Sequence, residues 1–341
     1  MTTTAAPLPV FGHLLRMTDR RGTYGQALLA EPERSGGYCT DDMARVLVVA
    51  TREPEPDGPV NGLAGTAVRF LNEAQSFAGT CRNRMDGKGN WLDEPTLEDC
   101  WGRCLWALGT AAAHSTVSLV RRVSVIQFER AAKMRSPFPR AMAYAALGAA
   151  EILSVEPDHR IARDLLVAYA DTVAAPNGSA EWPWPEARLS YANAVIAEAM
   201  IAAGVALERP ELTRQGLDLL AWLLAYETSG EHLSPISAAG SGPDDARPAF
   251  DQQPTEVATL ADACARAATV DPNPMWPDGV RAAAAWFEGV NDAGLAMWDP
   301  ATGGGFDGLL VDAVDPNQGA ASTLALLSTL QHAQRFSTAT E

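Results

Sequence analysis

What most constrains the fold of this chain is a regular alternation between helices that have no polar face and helices that do. Val46, Leu47, Val48, Val49 and Ala50 are consecutive, so no side of that helix is polar, and 104–113, 137–153, 191–206, 257–268 and 320–330 are inner-type helices of the same kind, dominated by Ala and other apolar residues. A helix that is apolar all round has to be covered on every side. The helices between them are amphipathic. In 60–75, Leu63, Ala67, Phe70, Leu71 and Ala74 form one stripe with Arg69, Asn72 and Glu73 outside it, and 116–135, 159–173, 210–226 and 277–290 carry a polar face in the same way.

The inner-type helices start near Asp41, Glu98, Pro137, Tyr191, Glu256 and Gln318, and each except the last is followed by a polar-faced one. A short helix at 11–18 supplies the sixth outer partner. No long alternating strand pattern occurs; the Gly-, Asn- and Asp-rich stretch 77–95 suits short extended pieces and turns. The simplest closed solution is all-α: a toroid of six helical hairpins, an (α/α)6 barrel, spanning 1–341 as one domain with short extended loops at its mouth. A seven-pair ring or an open helical array is the runner-up.

Composition narrows the partners. With 47% hydrophobic residues the chain can build a large core, and a net charge of −16 repels a phosphate backbone or an anionic bilayer, which argues against nucleic-acid and membrane partners. The five cysteines are odd in number and lack paired CxxC spacing, which reads as reduced thiols; Cys100 and Cys104, one turn apart with no histidine nearby, read as core packing rather than metal ligands. His13, His114, His159, His232 and His332 form no HExxH arrangement, and Gly303–Gly305 lacks the GxxxxGK[ST] pattern and a preceding strand. No metal and no cofactor is expected. Residues 1–9 lack a basic segment followed by an apolar run, and no apolar stretch is long enough for a bilayer, so the expected location is cytoplasmic.

In a ring of hairpins all inner helices run in one direction, so their N-terminal ends gather at one mouth. The acids and aromatics lie in the segments feeding those ends: Asp41, Asp42, Glu98, Asp99, Glu186, Asp251, Glu256 and Asp307, with Tyr38, Trp91, Trp101, Trp182, Trp184 and Tyr191. Carboxylates accept bonds from hydroxyls and flat rings pack on apolar sugar faces, so this combination suits a carbohydrate. Each residue also has a plainer reading. Acids in a first helical turn are favoured by capping and the macrodipole, Thr40 or Asp41 being the expected cap of its helix. Trp101 and Trp106 fall within helical spacing and read as core, whereas Pro183 and Pro185 keep Trp182 and Trp184 out of a helix, as surface or cleft residues.

Cleaving a glycosidic bond takes one protonated acid for the leaving oxygen and one ionised group on the far side of the ring. Set roughly 6.5 to 9.5 Å apart, the pair activates water and configuration inverts; at about 5 to 5.5 Å it attacks directly and configuration is retained. Carboxylates on different helices facing each other over a barrel mouth are more easily held at the longer distance, so inversion is expected.

The stretches His13–Asp19, Gly37–Arg45, Trp182–Glu186 with Tyr191–Ala194, Phe250–Glu256, Gly303–Asp307 and Asn317–Ala320 resemble the helical domain found alone or attached to bacterial glycosyltransferases. Standing alone and Ala-rich, the chain is similar to the mycobacterial methylmannose polysaccharide hydrolases, endo-acting α-1,4-mannanases. The resemblance implies an inverting (α/α)6 glycoside hydrolase acting on a cytosolic O-methylated α-1,4-mannan. Its catalytic pair would be one aspartate of the Thr40-Asp41-Asp42 segment, here Asp41, and Glu256. Arg45, Asn193, Gln252, Gln253 and Gln318 in the same motifs join Asp42 and the mouth residues as expected substrate ligands. Met43 and Pro185 depart from the usual Asn and Phe, which bears on the role of Glu186. Glu256 enters an apolar helix after Pro254, where desolvation favours a general acid, while Thr40 and Asp42 keep Asp41 in a polar setting suited to a base. Two rivals stand: a sugar epimerase or isomerase of the acylglucosamine type, which normally relies on a histidine pair missing from these motifs, and a non-catalytic glycan-binding module.

Overall fold

A computed structural model of the chain describes residues 6–173, 179 and 181–337. Residues 1–5 of the N-terminal segment, and Asn177, Gly178 and Ala180 of the loop before Trp182, lie outside the described residues. Among those described there are twelve α-helices: α1 (Gly12–Arg16), α2 (Thr40–Arg52), α3 (Gly58–Ala74), α4 (Asp99–His114), α5 (Ser118–Ala131), α6 (Pro139–Val155), α7 (Arg160–Thr172), α8 (Ala194–Ala206), α9 (Pro210–Tyr226), α10 (Pro254–Ala267), α11 (Met275–Phe287) and α12 (Ala320–Ser337).

The even-numbered helices form the ring. α2 packs on α4, α4 on α6, α6 on α8, α8 on α10, α10 on α12, and α12 closes back on α2. The odd-numbered helices lie outside, each against neighbouring inner helices, and α1 packs on α12 and α3 as the sixth outer partner. The chain is therefore an all-α (α/α)6 barrel; the seven-pair ring and the open array are not what it forms. The patterning accounts for this directly: from Arg140 to Leu153 every residue of α6 is buried, as is every residue of α8 from Ala194 to Gly204, whereas α7 buries only Ala162, Leu165, Leu166 and Tyr169. One continuous hydrophobic core results. No helix among the described residues is long and apolar enough to cross a membrane.

The helix starts follow local chemistry. Pro139, Pro210 and Pro254 open α6, α9 and α10, where the missing N–H costs nothing. The cap of α2 differs from expectation. Cys39 is the capping residue, its sulfur accepting the Asp42 N–H, while the Thr40 hydroxyl donates to the Arg82 carbonyl at 2.6 Å and ties the helix to a two-residue ribbon formed by Tyr38–Cys39 and Arg84–Met85. This ribbon and four others of the same length are the only strand pairs among the described residues. α4 and α6 cross with their backbones in direct contact. A Cβ at Gly102 would run into the Ala141 backbone, at Gly109 into the Gly148 carbonyl, and at Gly148 into the Leu105 carbonyl.

Candidate active site

A cavity of about 270 Å³ lies on the barrel axis, and all six inner helices line it. Arg45, Arg103, Tyr144, Tyr191, Gln253 and Thr255 supply its polar groups towards the helix N-termini; Val48, Val49, Leu147, Val195 and Leu324 supply apolar wall, and Glu198 and Asp262 are its deeper acids. Trp106, read from its spacing as core, also lines it.

Around the mouth, charged side chains hold one another in a chain. Asp42 Oδ1 receives Arg45 at 2.9 Å, and its Oδ2 receives the Cys39 thiol at 2.9 Å. Arg103 spans two acids, with Nη1 at 3.2 Å from Asp41 and Nη2 at 3.3 Å from Asp99, its guanidinium 5.0 Å over the Tyr144 ring. Burial opposes the charge on Arg103, but Tyr144, Asp41 and Asp99 more than offset this and hold it above the ordinary guanidinium range. The Tyr191 hydroxyl reaches Asp99; burial first, and Asp99 next, push it up to about 12. Its ring lies 4.8 Å from the Arg140 guanidinium. Arg140 donates in a fork to both oxygens of Glu186 at 2.8 Å, to the Tyr191 carbonyl at 2.7 Å and to Asn193 Oδ1 at 3.1 Å.

The two expected catalytic carboxyls are held differently. Asp41 Oδ2 is fixed by Arg103 and by the Asn83 amide at 3.2 Å, while its Oδ1 is buried and has no partner among the described residues. Glu256 is 5% exposed. It accepts the Ala192 N–H on Oε1, and the Asn193 N–H at 3.4 Å and amide at 3.0 Å on Oε2. Burial pushes its carboxyl above the ordinary range, against those three donors and Arg140, which pull it down.

Of the expected ligands, Arg45, Tyr191 and Gln253 line the cavity, and Asp42, Asp99, Glu186 and Asn193 belong to the polar chain behind it. Others are placed differently. Trp101 is 0% exposed and donates to the Ala131 carbonyl, packing α4 on α5. Tyr38 is 1% exposed, stacked on Tyr24, its hydroxyl bound to Asp19. Trp182 and Trp184, expected at the surface or in a cleft, are buried: the prolines keep them out of a helix, but their indoles pack with Trp222 and donate to Glu186. Trp91 packs edge-on against Phe70. Gln252 is 0% exposed and donates to Asp292; Gln318 accepts the Thr302 hydroxyl; Asp307 fixes the start of α12 through the Gly319 N–H and the Ser322 hydroxyl. Glu98 is exposed and Asp251 half-buried, and neither lines the cavity.

Arg103, Arg140 and Tyr144 went unnoticed in the sequence. The available signal was an arginine inside each of two otherwise apolar helices, a residue seldom buried without a partner. Cys81, Cys100 and Cys104 are buried thiols, as are Cys39 and Cys264.

No protein-family model matches the chain, and no curated protein sequence matches it. Solved structures do. A sugar epimerase from a ruminal bacterium aligns with TM-score 0.72 over 95% of both chains at 11% identity. A D-mannose isomerase aligns with TM-score 0.68 over 96% of this chain and 94% of its own at 14% identity. An inactive variant of an α-1,6-mannanase from a Salegentibacter species, with two consecutive aspartates replaced by asparagine and α-1,6-mannotriose bound, aligns with TM-score 0.62 over 94% of this chain and 95% of its own at 10% identity. The likeness establishes the fold class that the chain shares with these proteins, the (α/α)6 barrel.

Proposed function

We propose that this chain is an inverting glycoside hydrolase, an intracellular endo-α-1,4-mannosidase that shortens O-methylated mannan, with Asp41 and Glu256 as its carboxylate pair. The observation that carries the reading is the asymmetry of Asp41. One oxygen is anchored by Arg103 and Asn83 and the other is buried with no partner among the described residues, as a base needs if a water or sugar hydroxyl is to complete its bonding. Glu256 is the acid: burial favours its protonated form, and Asn193 and Ala192 fix its orientation. The cavity offers Trp106, Tyr144 and Tyr191 as aromatic surface for a sugar ring. A mannanase among the fold neighbours is disabled by replacing two adjacent aspartates, the residue type of Asp41 and Asp42.

The epimerase neighbours favour a second reading, proton transfer at a free reducing sugar. That chemistry calls for a base titrating near neutrality, usually histidine, and none of the five histidines lines the cavity. Hydrolysis is therefore the reading supported. Incubation with O-methylated α-1,4-mannan, followed by chain length, tests it: shorter oligosaccharides support hydrolysis, an isomerised or epimerised reducing sugar supports the second reading, and tight binding without product supports a glycan-binding module.

A further inference from the structure

Glu198 and Asp262, on the neighbouring inner helices α8 and α10, line the axial cavity and also a second cavity of about 940 Å³ at the other end of the barrel, where the inner helices finish. They form the floor of the first and part of the wall of the second. Both are more than nine-tenths buried, at 2% and 7% exposed. Each is braced through one oxygen alone. Glu198 Oε1 accepts Arg266 Nε at 2.9 Å, and Asp262 Oδ1 receives Arg52 at 2.8 Å, Ser328 at 3.0 Å and His332 Nε2 at 2.6 Å. Glu198 Oε2 and Asp262 Oδ2 have no hydrogen-bond partner among the described residues. Other ion pairs of the barrel use both oxygens: Arg140 forks onto Glu186, and Glu151 meets Arg266 on Oε1 and His114 on Oε2. Trp106 of α4 adds an unmet donor. It lines the axial cavity at 7% exposed, with Tyr144 at 5.4 Å and Arg52 at 5.6 Å from its ring, and its indole N–H is buried with no partner among the described residues.

A carboxylate that serves only to close an ion pair gains most when both oxygens accept, and an indole N–H buried without a bond is unfavourable. Two open acceptors and one open donor, on three inner helices around one cavity, suit the hydroxyls of a sugar instead. Resting on the reading of the ligand as a neutral mannan chain, we propose that Trp106, Glu198 and Asp262 are specificity-determining residues, the floor of a subsite on the barrel axis that reads the hydroxyls of one sugar unit. The wall above this floor is Val48, Val49, Leu147, Val195 and Leu324, so the floor supplies the polar contacts at depth. A volume of about 270 Å³ is small for a drug-sized ligand and suits a single monosaccharide unit. Asp262 is an ionised acceptor: burial opposes its charge, but Arg52 and His332 hold it well below the usual carboxylate range. Burial pushes Glu198 up against Arg266, and a carboxyl accepts a hydrogen bond in either protonation state. The floor binds and selects; proton transfer stays with Asp41 and Glu256.

Calorimetric binding of methyl α-mannoside and its monodeoxy forms to wild type, Trp106→Phe and Glu198→Gln tests this without relying on turnover. In wild type at least one deoxy form should bind about 10-fold more weakly, the loss of one well-placed hydrogen bond. That penalty should fall below about 3-fold in the variant lacking the partner, whereas a variant that merely loosened the barrel would weaken every form alike. On O-methylated α-1,4-mannan the same variants should raise KM by about 10-fold with kcat within about 3-fold of wild type. If Glu198→Gln does not fold, Trp106→Phe, which keeps an aromatic ring in place, carries the comparison. No saturable binding, no deoxy penalty in wild type, or a penalty unchanged in the folded variants overturns the inference. A floor that reads hydroxyls in a protein that leaves the mannan intact keeps the inference and removes the hydrolase reading; cleavage with unmoved penalties does the reverse.

Discussion

Replacing Arg140 with lysine keeps the charge and removes the planar fork. Arg140 is 7% exposed and makes four hydrogen bonds, two to Glu186, one to the Tyr191 carbonyl and one to Asn193, besides stacking on the Tyr191 ring. A lysine ammonium at that depth can keep about two of these. Charge-assisted bonds contribute roughly 1.5 to 3 kcal/mol each, and with the Glu186 side chain 32% exposed and its share discounted, the net loss comes to about 3 kcal/mol. At about 2.1 cal/mol/K of unfolding entropy per residue, a chain of 341 residues would melt about 4 °C lower. The activity loss should be larger in kind. Asn193 accepts from Arg140 on one side and holds Glu256 on the other, so its release misplaces the acid, and kcat should fall about 100-fold. Urea unfolding and initial rates on O-methylated α-1,4-mannan measure both effects. Stability within about 0.5 kcal/mol of wild type together with unchanged kcat would show that Arg140 does not hold Asn193 and Glu256 in place.

Asp41→Asn should lower kcat by about 10³-fold with a small effect on KM, while Asp42→Asn, whose carboxyl is already occupied by Arg45 and Cys39, should lower it by less than about 10-fold; parallel kinetics of the two variants check the split. Gly148→Ala should destabilise by about 2 to 3 kcal/mol in urea unfolding, because its Cβ meets the Leu105 backbone and α4 and α6 would have to separate. Asp262, although buried, is held well below the usual carboxylate range by Arg52 and His332. Its stabilising contribution is present above the unfolded value near 3.9 and is lost as pH falls from there through its much lower folded value, so Asp262→Asn should cost about 3 kcal/mol at neutral pH and progressively less as pH drops below about 4, as read from melting across pH.

The fold was legible because its pattern is redundant. Helices such as α8, where Glu198 is the one charged residue between Ala194 and Ala206, can only be inner helices, and the amphipathic α7 and α9 can only be outer ones. The close crossing of α4 and α6 was not legible, since Gly102, Gly109 and Gly148 look like ordinary weak points in a helix until the two backbones are seen in contact. Of the residues that type and loop position marked, Arg45, Tyr191 and Gln253 line the cavity, whereas Asp41 and Glu256 do not. Residue type and loop position misplaced Tyr38, Trp182 and Trp184, because an aromatic beside a polar loop can turn either to a ligand or into the core, and here the two indoles had Glu186 to bond, while Trp101 is core as its helical spacing reads. Arg103 and Arg140 escaped notice because an arginine in an inner helix acquires meaning only with its partners from other helices, Asp41 and Glu186.

In the proposed reaction Asp41 and Glu256 cleave an α-linked mannan with inversion. Proton NMR of O-methylated α-1,4-mannan during the first minutes of digestion, with wild type, Asp41→Asn and Glu256→Gln run in parallel, tests it most directly. New reducing ends should appear first as the β-anomer with wild type, and almost none should appear with either variant. New ends appearing first as the α-anomer, or either variant cleaving at the wild-type rate, would contradict it.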